Sequence, residues 1–293
     1  MVTYRKYLVT LLLCYSAAWM SSCDLINPEE EVPSFLQIEK VHVSSNYFLQ
    51  GDSTANIDDV WVYADGNYIG TFELPAQIPI LLSGKHRFFI GAGIEANGIA
   101  STSEAYPLYR FYETDIDLKR GEVVSVDSVP VAYFPNLQYT WFEDFEKDTS
   151  GSGISIDTTA LSIANIRTDS VDVFEGKRSL KMSVTSALNF IECRSVGDGY
   201  LLAQGRDIYL EMTYKANQAF TVGLLGTSLF GQSKIPVIKL NPKADWNKIY
   251  IRLGPYVNAN PASLKYNILF QVSHEAGLSE GVVVLDNVKL ISN

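Results

Sequence analysis

With 33 acidic against 23 basic side chains in 293 residues, the chain is too acidic to hold nucleic acid or anionic lipid headgroups by charge. Its length allows two domains, each large enough to bury its own core. Three cysteines, Cys14, Cys23 and Cys193, sit too far apart in role to make a disulfide-stapled scaffold, and the size makes staples unnecessary.

The N-terminus is read first. Arg5 and Lys6 precede an apolar run from Tyr7 to Trp19, and Met20-Ser21-Ser22-Cys23 follows. A basic start, a short apolar stretch and small residues make a secretory leader over residues 1–22. The run is shorter than the roughly 20 residues that span a bilayer. The cysteine directly after the small pair resembles a bacterial lipoprotein signal, which implies a diacylglycerol on Cys23 and an outer-membrane anchor; an ordinary leader containing a cysteine is the plain alternative. Residues 23–34 carry Glu29, Glu30, Glu31 and two prolines without a period, and read as an acidic tether. The acidic run resembles those near the lipidated cysteine of Bacteroidota-type surface lipoproteins; a solvated tether without a sorting role is equally open.

Residues 35–135 read as a first small sandwich. Ile57–Ala64 is β-rich and ends at Asp65-Gly66, a two-residue hairpin signal. Asn67–Phe72, Ile78–Leu82, Lys85–Ile90 and the valine-rich Glu122–Tyr133 follow at strand spacing. Val60 to Gly66, then Gly70, Pro79, Gly84 and His86, resemble the PEGA family of Ig-like envelope modules, which implies a binding or spacer module without chemistry. Between Gly91 and Tyr112 the pattern breaks into a long loop carrying Tyr106, Tyr109, Phe111 and Tyr112. Four rings in seven residues either form an exposed contact surface or cover the sandwich end and the second domain. The second option is preferred, and the four residues are kept as candidate partner contacts together with Trp246.

Residues 136–293 read as a second, larger sandwich, expected to fold alone. Leu180, Met182 and Val184 alternate with polar residues. So do Ile208, Leu210, Met212 and Tyr214; Ile249, Ile251 and Leu253; and Leu264, Tyr266, Ile268, Phe270 and Val272. Period two with a polar partner set marks half-buried antiparallel strands, and no window offers a helix. Phe142 to Glu146, Glu175 to Leu180, Trp246 to Tyr250 and Leu285 to Leu290 together resemble jelly-roll modules of the carbohydrate-binding, galactose-binding-like type. The resemblance implies a β-sandwich, a ligand surface that varies in position, often a structural calcium, and no catalysis. The fold class is therefore all-β: an Ig-like sandwich followed by a jelly roll.

Two carboxylates stand at apolar parity. Asp286 shares alternation with Val282, Val284, Val288 and Leu290, and Glu143 with Trp141 and Phe145. A buried carboxylate requires a partner. Calcium, which takes six to eight oxygens, is one candidate. The resemblance implies Glu143, Asp144, Glu146, Asp286 and carbonyls near Gly176 as its ligands. Backbone N–H groups, or a bulge that turns Asp286 outward, are the alternatives. His42, His86 and His274 have no metal-ligand spacing, Cys193 lacks a partner histidine, and no nucleophile elbow or phosphate loop is present. The reading is a non-enzymatic outer-membrane lipoprotein. Its main form is an accessory subunit of an envelope protein complex. Its alternative is a surface glycan binder whose jelly roll stacks sugars on Trp246, Tyr256 or Tyr200.

Overall fold

The computed structural model describes residue 4 and residues 31–146, 154–156, 166–169 and 171–293. The leader, Cys23 and most of the tether lie outside the described residues. Eleven strands build the first sandwich: β1 (Ser34–Ile38), β2 (Val41–Ser44), β3 (Asp59–Ala64), β4 (Asn67–Glu73), β5 (Ala76–Ile80), β6 (Gly84–Glu95), β7 (Ser103–Ala105), β8 (Tyr109–Arg110), β9 (Tyr112–Leu118), β10 (Val123–Val126) and β11 (Val129–Tyr133). One side is the sheet β4-β3-β6 with β7 and β9 both on β6; the other consists of the ladders β10-β1-β5 and β2-β11-β8. Asp65 and Gly66 close the β3–β4 hairpin with φ of 50° and 80°, the positive pair a two-residue turn requires. The expected long loop after Gly91 is instead mostly strand, because β6 runs on to Glu95 and β7 to β9 follow.

The second sandwich takes β12 (Gln138–Glu143), β13 (Ile154–Ile156), β14 (Ile166–Asp169), β15 (Ser179–Val184), β16 (Phe190–Ser195), β17 (Ile208–Ala216), β18 (Phe220–Ser228), β19 (Gly231–Leu240), β20 (Lys243–Arg252), β21 (Lys265–Ser273) and β22 (Gly281–Ser292). Sheet order is β14-β15-β22-β17-β20, with β12 also on β22, facing β13-β16-β21-β18-β19. This is the jelly-roll arrangement of an all-β chain. Two short helices, α1 (Tyr47–Gln50) and α2 (Gly254–Ala259), were not expected from the sequence. The alternating sets meet in one core, including Met182, Leu210, Ile251, Ile268 and Phe270. Leu264 does not join them: it precedes β21 and is exposed.

Among the described residues the ladders stay within each sandwich, and one isolated bridge, Ala96 to Tyr250, crosses between them. Side chains nevertheless merge the two. Tyr209, Tyr250 and Ile291, on the outward face of the β22-β17-β20 sheet, belong to the first sandwich's core cluster with Tyr106, Tyr109 and Tyr133. Strand β17 is consequently buried on both faces, and so is most of β22. Charges are carried into this junction and paired there. Glu211 is fully buried and accepts from the hydroxyls of Tyr106 at 2.8 Å and Tyr133 at 2.9 Å, while Lys248 Nζ lies 3.2 Å from its other oxygen. Lys289, also fully buried, donates to the Asp52 carbonyl at 2.6 Å and pairs with its carboxylate at 2.9 Å. The lysines hold the Asp52 carboxyl below its ordinary value, against the upward push of burial. Two cations thus meet two carboxylates, which is what makes their burial tolerable.

Candidate functional site

The predicted contact residues separate. Tyr106 and Tyr109 are 2% and 3% exposed, inside the junction, so neither lies on an exposed contact surface. Tyr106 is ringed by Tyr109, Tyr209 and Tyr250 at 4.7–5.0 Å, and desolvation raises its hydroxyl pKa well above the ordinary value. The reason is local: β7 and β8 carry these rings inward over β6. Phe111 and Tyr112 remain at the surface, lining a groove on the first sandwich. Trp246 is half-buried against Phe174 with ring centroids 5.6 Å apart. Tyr200 stacks on Trp141 at 6.1 Å, and Tyr256 donates its hydroxyl to the Val237 carbonyl. Tyr200 and Tyr256 are partly buried and pack against the jelly-roll core. These three rings do not form a row.

The carboxylates of the expected cation site are each turned onto N–H donors. Asp286 does not share the parity of Val288 and Leu290. Asn287 takes φ of 48° and the pairing with β17 slips there, so Val283 and Leu285 face the core on one side of the bulge and Val288 and Leu290 on the other. Asp286 therefore leaves the core and accepts from Phe174 N at 3.1 Å, Glu175 N at 3.2 Å and Asn287 N at 2.9 Å. Burial pushes its carboxyl up to about 7 against the pull of these three bonds, with the Glu146 charge adding to the rise. Glu146 sits over Gly176, whose φ of 76° leaves no space for a side chain, and accepts from Lys177 N and Arg178 N at 2.7 and 3.0 Å. Asp144 accepts from Glu146 N, and Glu143 from Phe145 N at 2.9 Å. Among the described residues the Gly176 turn aims N–H groups, not carbonyls, at Glu146. Among the described residues no three His, Cys, Asp or Glu side chains gather in a metal-binding arrangement.

The remaining reactive groups are engaged structurally. Burial pushes the Cys193 thiol up to about 12 and sets it 3.6 Å from Met182 sulfur. His42 bonds Ser128, His86 bonds Asp65, and His274 bonds the Leu278 carbonyl.

The face of the jelly roll opposite the junction is built differently. On β16 and β21 the residues between the core positions point away from it: Glu192 and Arg194, and Lys265, Asn267, Leu269 and Gln271, of which Glu192, Asn267 and Leu269 are buried. Their register sets Glu192 beside Gln271, and the Glu192 carboxylate takes both Lys234 Nζ at 2.7 Å and Gln271 Nε2 at 2.6 Å. Next to this network runs a groove of about 380 Å³ lined by Arg194, Asp198, Thr227, Gln232, Lys265 and Asn267. Asn267 is 1% exposed; its amide nitrogen donates to the Ser195 and Gly197 carbonyls, while Oδ1 has no hydrogen-bond partner among the described residues. Gly199, at φ of 91°, leaves Oδ1 its room, since a Cβ there would stand 3.1 Å away. Sequence reasoning did not single out these groove residues, although the polar half of each alternation was visible.

No family model matches the chain, and no curated protein does. Solved structures similar to about half of the chain include carbohydrate-binding modules. One is the CBM22-1 xylan-binding domain of Paenibacillus barcinonensis Xyn10C, at 11% identity and TM-score 0.38, covering 53% of this chain and 94% of that one. Another is the family 30 module of a Clostridium thermocellum cellulosomal cellulase, at 14% identity and TM-score 0.37, covering 51% and 96%. A third, the C-terminal family 22 module of Clostridium thermocellum Xyn10B, stands at 12% identity and TM-score 0.34 over 52% and 92%. The likeness is one of fold.

Proposed function

We propose that the protein is a non-enzymatic glycan-binding lipoprotein of the cell envelope, anchored through Cys23. The observation that carries the reading is the groove lined by the polar side chains Arg194, Asp198, Thr227, Gln232 and Lys265 on the side of the jelly roll away from the junction, with Asn267 buried in its floor. Asp198 offers acceptors to sugar hydroxyls at this groove. Arg194, Gln232 and Lys265 offer donors at the rim. The first sandwich covers the outward face of the other sheet, so the groove is the exposed side of the jelly roll. The accessory-subunit reading drew on the lipid address, the lack of catalytic constellations and the Tyr106–Tyr112 run, and of that run Tyr106 and Tyr109 are buried in the junction.

The test is affinity electrophoresis against soluble polysaccharides and a glycan array, with Arg194→Ala and Gln232→Ala as variants of unchanged melting temperature. Retention of the wild type and its loss in the variants is expected. A wild type that binds no glycan, while a protein co-purifies stoichiometrically from detergent extracts, would overturn the reading. For the anchor, Cys23→Ala is expected to leave a precursor or a soluble product; complete partition with membranes would refute lipidation.

A further inference from the structure

The outward face of the β4-β3-β6-β9 sheet carries an aromatic belt that the jelly-roll groove does not involve. On β3 the inward set is Val60, Val62 and Ala64, so Trp61 and Tyr63 point out. Tyr68 of β4 lies opposite Tyr63, and the rings touch: Tyr63 to Tyr68 at 5.2 Å, Trp61 to Tyr68 at 5.8 Å, Tyr63 to Phe111 at 5.8 Å. Gly91 lies opposite Trp61, and a Cβ on it would come within 2.5 Å of the Phe111 ring. The glycine thus leaves room for the Phe111 ring, which meets Tyr63 edge to face. The belt continues into a groove of about 570 Å³ where Phe89, Tyr112 and Phe134 join Phe111. Tyr68 is 53% exposed and Phe134 39%.

The polar surroundings decide the occupant. Two ion pairs lie beside the belt, Arg87 with Glu113 at 2.8 Å and Lys85 with Asp115 at 3.1 Å, and the exposed Arg110 adds N–H donors at the groove. What remains at the surface is hydroxyl and guanidinium chemistry: Tyr68 and Thr71 share a hydrogen bond at 2.7 Å, while the Trp61 indole N–H is buried and has no partner among the described residues. Rings with polar edges, two ion pairs and one guanidinium able to donate match a ligand with apolar faces and a hydroxyl rim. A pyranose has that form: its C–H face removes apolar area on stacking while its hydroxyls stay at the edge.

We propose that this belt, centred on Trp61, Tyr63, Tyr68 and Phe111, is a second saccharide-binding surface that takes a neutral glycan, independent of the jelly-roll groove. Two faces on one rigid chain would raise avidity for a polymer long enough to reach both.

The experiment uses the mature chain against xylan, mixed-linkage β-glucan, galactan and galactomannan, with polygalacturonate as the charged control. Tyr68→Ala, at an exposed position, is expected to weaken binding of a neutral polymer at least about tenfold with no change in melting temperature. Tyr68→Phe, which keeps the ring, should retain most of it. Added salt should leave the affinity unchanged. Arg194→Ala separates the two faces: binding lost there but intact in Tyr68→Ala leaves the groove as the site and overturns the belt. The reverse pattern upholds the belt and removes the groove. A wild type that binds none of the neutral polymers, or a self-associated chain that Tyr68→Ala turns into monomers, also overturns the belt.

Discussion

Tyr106 of the first sandwich donates its hydroxyl to Glu211 of the second, 2.8 Å away and fully out of water. This bond and its neighbours make the junction a polar seam inside an apolar contact, and its energetics follow from burial. Removing one member strands the others. Glu211→Ala leaves Lys248 buried without its anion and is expected to cost about 3–5 kcal/mol. Tyr106→Phe removes one bond to a charged acceptor and is expected to cost about 1.5–3 kcal/mol. Chemical denaturation measures both. A loss under about 1 kcal/mol for Glu211→Ala would place the seam in water.

The shared core is expected to make the chain unfold as one cooperative unit. Separation uncovers Tyr209, Tyr250 and Ile291, each 0–1% exposed in the whole chain. At about 25 cal/mol per Å² this is a substantial apolar loss. A single calorimetric transition with coincident spectroscopic probes is expected for the full chain. Residues 137–293 alone are expected to melt well below it. Two separated transitions would mean that the sandwiches fold independently.

Asp286 predicts an unusual pH slope. Its folded pKa, about 7, stands above the ordinary carboxylate value near 3.9. The folded state therefore holds the proton more tightly, and this group's contribution is present at low pH and lost as pH rises from about 4 to about 7. Asp286→Asn should flatten that part of the stability curve. A bound cation would reverse the sign by holding the carboxylate ionised. Chelation is accordingly expected to leave the melting curve unchanged. A chelator-induced drop restored by calcium would uphold the calcium site.

His86 and Asp65 lock the first hairpin, with ring nitrogen and carboxylate 2.6 Å apart. The hydrogen bond to Asp65 raises the His86 pKa and lowers that of Asp65. The histidine's share of stability is fully present below about 6.5 and lost as pH rises through its raised folded value; the aspartate's share is present above about 3.9 and lost as pH falls. His86→Ala should thus be most destabilising between those limits and nearly silent at high pH. Equal loss at pH values on either side of the histidine titration would show that the imidazole acts by packing alone. The effect is small, as befits an exposed pair.

Alternation along single strands was legible without a structure. Met182, Leu210, Ile251 and Phe270 reach the core as their period demanded, because side-chain direction in a strand is set by the pleat and needs no distant partner. The Asp65-Gly66 turn was equally local. The polar half of β16 and β21 was visible too, but not that it would be the open side. Tertiary structure alone decided that the opposite sheet is covered, that Tyr106 and Tyr109 are spent beneath that cover, and that Glu211 and Lys289 carry charge into it. Tyr106 and Glu211 are 105 residues apart, and nothing near either one records the other. In sequence a charged residue reads as surface, since burying it alone is prohibitive; only the arrival of Tyr133, Lys248 and Asp52 from elsewhere in the chain makes the cost bearable. The same holds for Asp286, whose parity was read through a bulge that depends on how β22 pairs with β17 and not on its own residues.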